Sequence, residues 1–192
     1  MELLPLVFSS GWASGVNCYL VVLVLGVSDR VLGLGDVPDS LARWDVLAVA
    51  AVLYAAEFVL DKVPYVDSTW DAVSTAIRPT AGAVIALLVA GDATTLQQAV
   101  LASVGGGTAL ASHLVKAGIR AGINTSPEPV TNVVASVAED GAVAAVVVLA
   151  VLHPVAAAVV AAVLLVLGIV LVVAVLRSAR RLFRRRPAPD AG

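Results

Sequence analysis

A single cysteine, Cys18, in 192 residues excludes a disulfide framework and a cysteine-built metal site. Charge is scarce too: 14% of residues are charged, against about 25% in an average soluble domain. The N-terminus lacks the basic stretch of a secretory signal, since Glu2 is the only charge before Asp29. Enzyme signatures are missing as well. There is no phosphate-binding glycine loop ending in Lys-Ser or Lys-Thr, no His-Glu-x-x-His and no Gly-x-Ser-x-Gly. Gly105-Gly106-Gly107 follows no strand pattern, so it is not a dinucleotide loop. His113 and the acidic residues have donor types suited to a divalent cation, but Arg78, Lys116 and Arg120 oppose one. No metal and no cofactor is therefore assigned. Outside the arginine-rich C-terminus the chain is acidic, which argues against a nucleic-acid partner.

What is present is apolar. The hydrophobic fraction is 60% and the mean hydropathy is +0.98. A soluble domain of this size keeps too many residues near water to hide such a surface. A disordered chain is excluded by the same numbers. The fold class that remains is all-α, a polytopic transmembrane helical bundle in contact with a lipid bilayer.

About 20 apolar residues cross a hydrocarbon core of about 30 Å as a helix. The sequence predicts about six spans, at roughly 4–28, 44–61, 72–91, 95–119, 130–151 and 154–176. A β-barrel would alternate with period two, whereas these segments are apolar all round. The first span is interrupted by Ser9-Ser10-Gly11 and Ser14-Gly15, so a re-entrant segment is the alternative there. Residues 1–176 read as the membrane domain. Residues 177–192 read as a basic tail with a disordered end, suited to anionic lipid. Placing its six arginines in the cytoplasm also puts Lys62, Arg78, Lys116 and Arg120 inside, leaving Arg30 and Arg43 outside. The expected location is the plasma membrane, with both termini cytoplasmic.

Ionisable residues at membrane depth are costly, so they pair, face water or both. Helical spacing groups them into stripes. Span two carries Tyr54, Glu57 and Asp61, and span three Asp71, Thr75 and Arg78. Span four carries His113, Lys116 and Arg120; span five carries Asn132, Ser136, Glu139 and Asp140. Carboxylates dominate spans two and five, cations spans three and four. The simplest packing turns all four stripes into one interior, with Arg78 on Glu139 or Asp140 and Glu57 on Lys116. Two blander readings stand beside it. Buried pairs can simply fix helix register, and Asp61, Asp71 and Arg120 lie near span ends, where side chains snorkel to the interface. His113 alone suits a satisfied core histidine, and His153 a loop before Pro154.

A shift of 59 residues aligns Gly82-Ala83-Val84 with Gly141-Ala142-Val143 and sets Glu57 opposite Lys116, as a helix-loop-helix repeat would. Gly105-Gly106-Gly107 inside span four implies close helix contact or local unwinding. Pro79 kinks or begins span three. Asn124-Thr125-Ser126-Pro127-Glu128-Pro129 reads as a rigid turn, with Ser126 as an N-cap and Pro127 at the first helical position.

These residues carry a resemblance. The run Glu57-Phe58, Asp61-Lys62-Val63-Pro64, Asp67, Trp70-Asp71, Ile77-Arg78-Pro79 and Gly82-Ala83 resembles the domain of unknown function 4126 family. So do Ser14-Gly15-Val16-Asn17-Cys18-Tyr19-Leu20, Ser112-His113, Lys116-Ala117-Gly118, Arg120, the turn from Asn124 to Pro129, and Glu139-Asp140. Cys18 stands where a small residue such as alanine is expected. The resemblance covers about residues 10–160 and implies a prokaryotic integral membrane protein, with no activity attached.

The leading expectation is a transporter or channel for an ion or small polar solute. Glu57, Asp61, Arg78, His113, Lys116, Arg120, Glu139 and Asp140 would line its path. Asn17, Tyr54, Asp67, Asp71, Asn124, Ser126, Glu128 and Asn132 would support it. A homodimer could complete the path. The alternatives are a membrane scaffold or assembly factor, docking through the polar loops, and an intramembrane enzyme acting on lipid head groups.

Overall fold

The computed structural model describes residues 3–33, 37–63, 66–124 and 129–184. It contains six helices: α1 (Leu3–Leu32), α2 (Trp44–Leu60), α3 (Val66–Ala90), α4 (Thr95–Ile123), α5 (Pro129–Leu152) and α6 (Pro154–Arg184). No strand occurs among the described residues.

Local chemistry sets the helix ends. Pro129 and Pro154 stand at the first positions of α5 and α6, where a missing N–H is harmless. Thr94 and Gln97 form a capping box at the start of α4: Thr94 Oγ1 accepts from the Gln97 amide, and Gln97 Oε1 accepts from the Thr94 amide. Gly91 ends α3 at φ +53, a conformation that side chains with a Cβ rarely adopt. The expected N-cap at Ser126, with Pro127 and Glu128, lies outside the described residues, as does the end of the chain beyond Arg184. α6 stays helical to Arg184, seven residues past the start of the basic segment at Arg177.

The helix bounds differ from the expected spans in an instructive way. α3 begins at Val66 rather than near 72, so Asp71 and Pro79 lie inside it. α4 continues to Ile123, which carries Arg120 within the helix. Among the described residues, four helical segments are long and apolar enough to cross a membrane: Leu3–Leu32, Thr69–Ala90, Val130–Leu152 and Pro154–Ser178. At 17 residues and about 1.5 Å per residue, α2 falls slightly short of a core about 30 Å thick. α4 is long enough, but its polar stripe lowers its hydropathy.

α1 is the centre of the bundle and touches each of the other five helices. Every residue from Ser9 to Cys18 is buried, so this stretch is enclosed on all sides. The small residues that interrupt the first span therefore serve packing. Gly11 and Gly15 face Gly105 and Ala109 of α4. The interruption itself falls at Asn17, whose φ −154 and ψ 95 are non-helical, so α1 consists of two helical halves that meet at a kink. Around it an apolar core forms from Trp12, Val16, Val21, Leu25, Ile85, Val143 and Val147.

The triple glycine resolves as close contact, since α4 is continuous through it. A Cβ added to Gly105 would lie 2.7 Å from the Ala86 Cβ and press on the Gly82 backbone of α3. Gly107 has nothing within 4 Å. Gly105→Ala should therefore destabilise the fold by about 1–3 kcal/mol through overpacking. Gly107→Ala should be neutral or stabilising by up to about 1 kcal/mol through helix propensity. Thermal unfolding of both variants in one detergent checks the contrast; equal midpoints would refute the packing role of Gly105.

Candidate functional site

The break in α1 begins with a redirected amide. In an unbroken helix the Leu20 amide would bond the Val16 carbonyl and the Tyr19 amide the Gly15 carbonyl. Instead, the Leu20 amide donates to Asn17 Oδ1 at 3.0 Å, an N-cap for the second half of α1. The released oxygens receive cations. Lys116 Nζ donates to Val16 O at 3.1 Å and Arg78 Nη1 to Gly15 O at 3.3 Å. One turn earlier, Ser112 Oγ donates to Trp12 O at 2.7 Å. α4 and α3 are thus bonded to the backbone of α1 where it opens.

Opposite charges from α2 to α5 meet there in an alternating series. Asp71 Oδ1 lies 3.1 Å from Arg78 Nη1, and Arg78 Nη2 donates to Glu57 Oε1. Glu57 Oε1 lies 3.9 Å from Lys116 Nζ, which donates to Asp61 Oδ2 at 2.7 Å. Asp61 Oδ2 is 3.8 Å from Arg120 Nη2, which donates to Glu139 Oε2 at 2.8 Å. Glu139 Oε2 is also 3.6 Å from Lys116 Nζ. Glu57, Asp61, Asp71, Arg78, Lys116 and Arg120 are all buried. Glu139 keeps 19% of its side chain exposed.

Neighbouring polar groups fix this series in place. An arginine N–H can only donate, so His113 Nδ1 accepts from Arg78 Nη1 at 2.9 Å. The His113 proton then sits on Nε2 and is donated to Thr75 Oγ1 at 2.9 Å, which passes a hydrogen bond to Asp71 O at 3.0 Å. His113 is therefore neutral here and props the guanidinium. Arg120 Nη1 donates to Asp61 O at 3.0 Å and to Asn132 Oδ1 at 3.1 Å. Asp140 stands apart, accepting from Asn17 Nδ2 at 3.0 Å and from Tyr54 Oη at 3.3 Å. Lys62, just past α2, donates to Phe58 O at 2.7 Å and Ser136 Oγ at 3.2 Å. Burial lowers the Lys62 pKa, and the charges of Asp140 and Asp61 oppose that shift.

The expected meeting of Glu57, Arg78, Lys116 and Glu139 is present, and Glu57 lies 3.9 Å from Lys116 as expected, but Arg78 is paired differently. Arg78 pairs with Glu57 and Asp71, not with Glu139 or Asp140, because α3 packs along α1 and α4. Lys116 is nearer Asp61 than Glu57. Asp61, Asp71 and Arg120 do not snorkel; they are enclosed. Asn124 is buried at the end of α4. His153 is exposed in the link between α5 and α6. Ser126 and Glu128 lie outside the described residues, and so does the Asp67 side chain. Two roles went unread in the sequence: Asn17 as the cap that opens α1, and Asp71 as a direct partner of Arg78. An asparagine in the middle of an apolar run was the available signal for the first.

A pocket of about 140 Å³ opens between α1, α4, α5 and α6. Trp12, Val16, Ile119 and Leu164 make it apolar, and Lys116 and Glu139 form its charged side. At roughly 30 Å³ each it has room for a few waters. Among the described residues no group of three His, Cys, Asp or Glu side chains is arranged to hold a metal ion.

Removing one partner of a buried pair strands the other charge, at about 3–5 kcal/mol. Arg78→Met should destabilise the protein by about that much, and Glu57→Gln added to it should recover a large part. A double-mutant cycle by thermal unfolding in detergent measures the coupling. Additive losses would show that the pair contributes no mutual stabilisation.

No curated protein and no solved structure matches the chain. One family does, over residues 4–174, from the start of α1 through the apolar length of α6. With that span of agreement, the protein belongs to the family described as domain of unknown function, DUF4126.

Proposed function

We propose that this protein is a small plasma-membrane transporter or channel for an ion or small polar solute, working through the buried charge cluster. The observation that carries the reading is the opening of α1 at Asn17, with seven ionisable side chains gathered round it. A broken helix whose freed carbonyls face charges is the form that solute and ion sites take in membrane carriers. Among the described residues, buried oxygens without a hydrogen-bond partner in the protein include Ser14 Oγ, Glu57 Oε2, Asp61 Oδ1 and Asp71 Oδ2, and these are available to a solute or to water. The pocket beside Lys116 and Glu139 supplies an approach.

The mechanism is an exchange of partners. Glu57, Asp61 and Glu139 neutralise Lys116, so an incoming cation or proton competes with Lys116 for these carboxylates. A solute anion competes in turn for Lys116 and Arg78. Either event removes one link from the series, and a packed bundle answers by shifting helices rather than deforming smoothly. In this reading α2 and α4 cross the bilayer with the other four helices. Both termini are cytoplasmic, and the arginines of α6 hold anionic lipid. A second copy of the chain could extend the path.

Flux into liposomes tests it. Vesicles holding the full chain receive imposed gradients of H⁺, Na⁺, K⁺ or Cl⁻ in turn, each read with a trapped dye. Flux above protein-free vesicles is expected for at least one ion, with Glu57→Gln reducing it about tenfold or more. Flux equal to empty vesicles for every ion, or unchanged in the variant, would remove the cluster from any transport role for these ions.

A further inference from the structure

Asp140 differs from the other carboxylates of the interior. Glu57, Asp61, Asp71 and Glu139 each have an arginine or lysine nitrogen within 4.0 Å. Asp140 has none among the described residues. Its two oxygens instead take one neutral donor each, Asn17 Nδ2 and Tyr54 Oη. It is half-buried near the middle of α5 and meets α1 near the middle of that helix. Its charge is thus the one the ion-pair series leaves uncompensated.

The groups around it explain why. α1 presents Asn17, which is neutral. α2 presents Tyr54, with Glu57, Asp61 and Lys62 further along the same stretch. α4 presents Lys116, but its ammonium is already held by Asp61 and Val16 O. Lys62 is turned to Phe58 O and Ser136 Oγ. Among the described residues the paired series has four carboxylates against three cations, and Lys62, the cation outside it, forms no ion pair with Asp140. An opposite charge in contact favours the ionised form of a carboxylate, and Asp140 has no such contact among the described residues.

A groove of about 370 Å³ runs between α1 and α2, lined on α2 by exposed Asp45, Val46, Val49 and Leu53. Tyr19 and Val22 form its α1 wall.

We propose that Asp140, the interior carboxylate without an ion pair among the described residues, is the proton-binding site of this protein. This deepens the transport reading and rests on it for its purpose, since it names the proton as the coupling ion. The bond from Asn17 ties the site to the break in α1. The same side chain that donates to Asp140 caps the second half of the helix.

Dicyclohexylcarbodiimide is a suitable probe, because it enters membranes and reacts with protonated carboxyl groups. The full chain in lipid vesicles is treated over a range of pH, and the adducts are placed by peptide mass spectrometry. The expected result is an adduct on Asp140 that falls as pH rises, with Glu57, Asp61, Asp71 and Glu139 unmodified. Tyr54→Phe removes one donor to the ionised form, so the pH of half-labelling should rise by about one unit. This second variant keeps the carboxyl and the fold in place. No adduct at Asp140 across the range, or an equal adduct on Glu57 or Glu139, overturns the assignment. A half-labelling pH unmoved by Tyr54→Phe overturns the role given to the tyrosine donor. Labelling needs no solute flux, so its failure leaves the transport reading to the vesicle assay, and failure of that assay leaves the labelling result as it stands.

Discussion

The ammonium of Lys116 is buried between Asp61 and the carbonyl of Val16, and the second contact exists only because α1 stops being helical at Asn17. A carbonyl inside a helix is already engaged along the axis. Freeing it leaves an amide that must be satisfied elsewhere, since an unpaired polar group in hydrocarbon costs several kcal/mol. Asn17 meets this need by lending its own oxygen to the Leu20 amide. One side chain thereby turns a structural liability into a ring of acceptors, and Arg78 and Lys116 can be buried against it.

The alternating order of charges follows from the same constraint. Each cation in the series touches at least two oxygens from different helices, so none of the three is left without a carboxylate at membrane depth. Such a series can act as a staple that fixes register, and it does join α2, α3, α4 and α5. Pure stapling explains neither the unpartnered oxygens of Ser14, Glu57 and Asp61 nor the pocket that exposes one end of the series. A staple gains stability from full pairing. A site for exchange needs some groups left over.

Much of this was legible in the sequence, and the boundary of what was not has a physical cause. Spacings of three, four and seven residues put Glu57 with Asp61, and His113 with Lys116 and Arg120, on common faces, and the bundle turns those faces inward. Spacing along one helix does not say which helices are neighbours. Arg78 was therefore matched to the carboxylates of α5, although α3 packs on α4 and α1 and its guanidinium finds Glu57 and Asp71. The small residues of α1 looked like weakness when read alone. They are what lets five helices approach one, as the contact of Gly11 and Gly15 with α4 shows. Asp71 looked like a span-end residue because the apolar run begins after it, while helical geometry continues back to Val66.

Asn17 gives the two halves of the site a common element. Its amide nitrogen holds Asp140 and its oxygen holds the Leu20 amide. A protonated Asp140 is a weaker acceptor for that nitrogen, so the side chain is less firmly oriented as a cap. A looser cap lets the Leu20 amide turn back toward Val16 O, which then has less to offer Lys116. Lys116 in turn depends more on Asp61 and Glu139, at the edge of the pocket. A proton bound at Asp140 is thus felt at Lys116 through one side chain and one peptide carbonyl. That short connection needs no distant relay, because the broken helix brings both ends to the same residue.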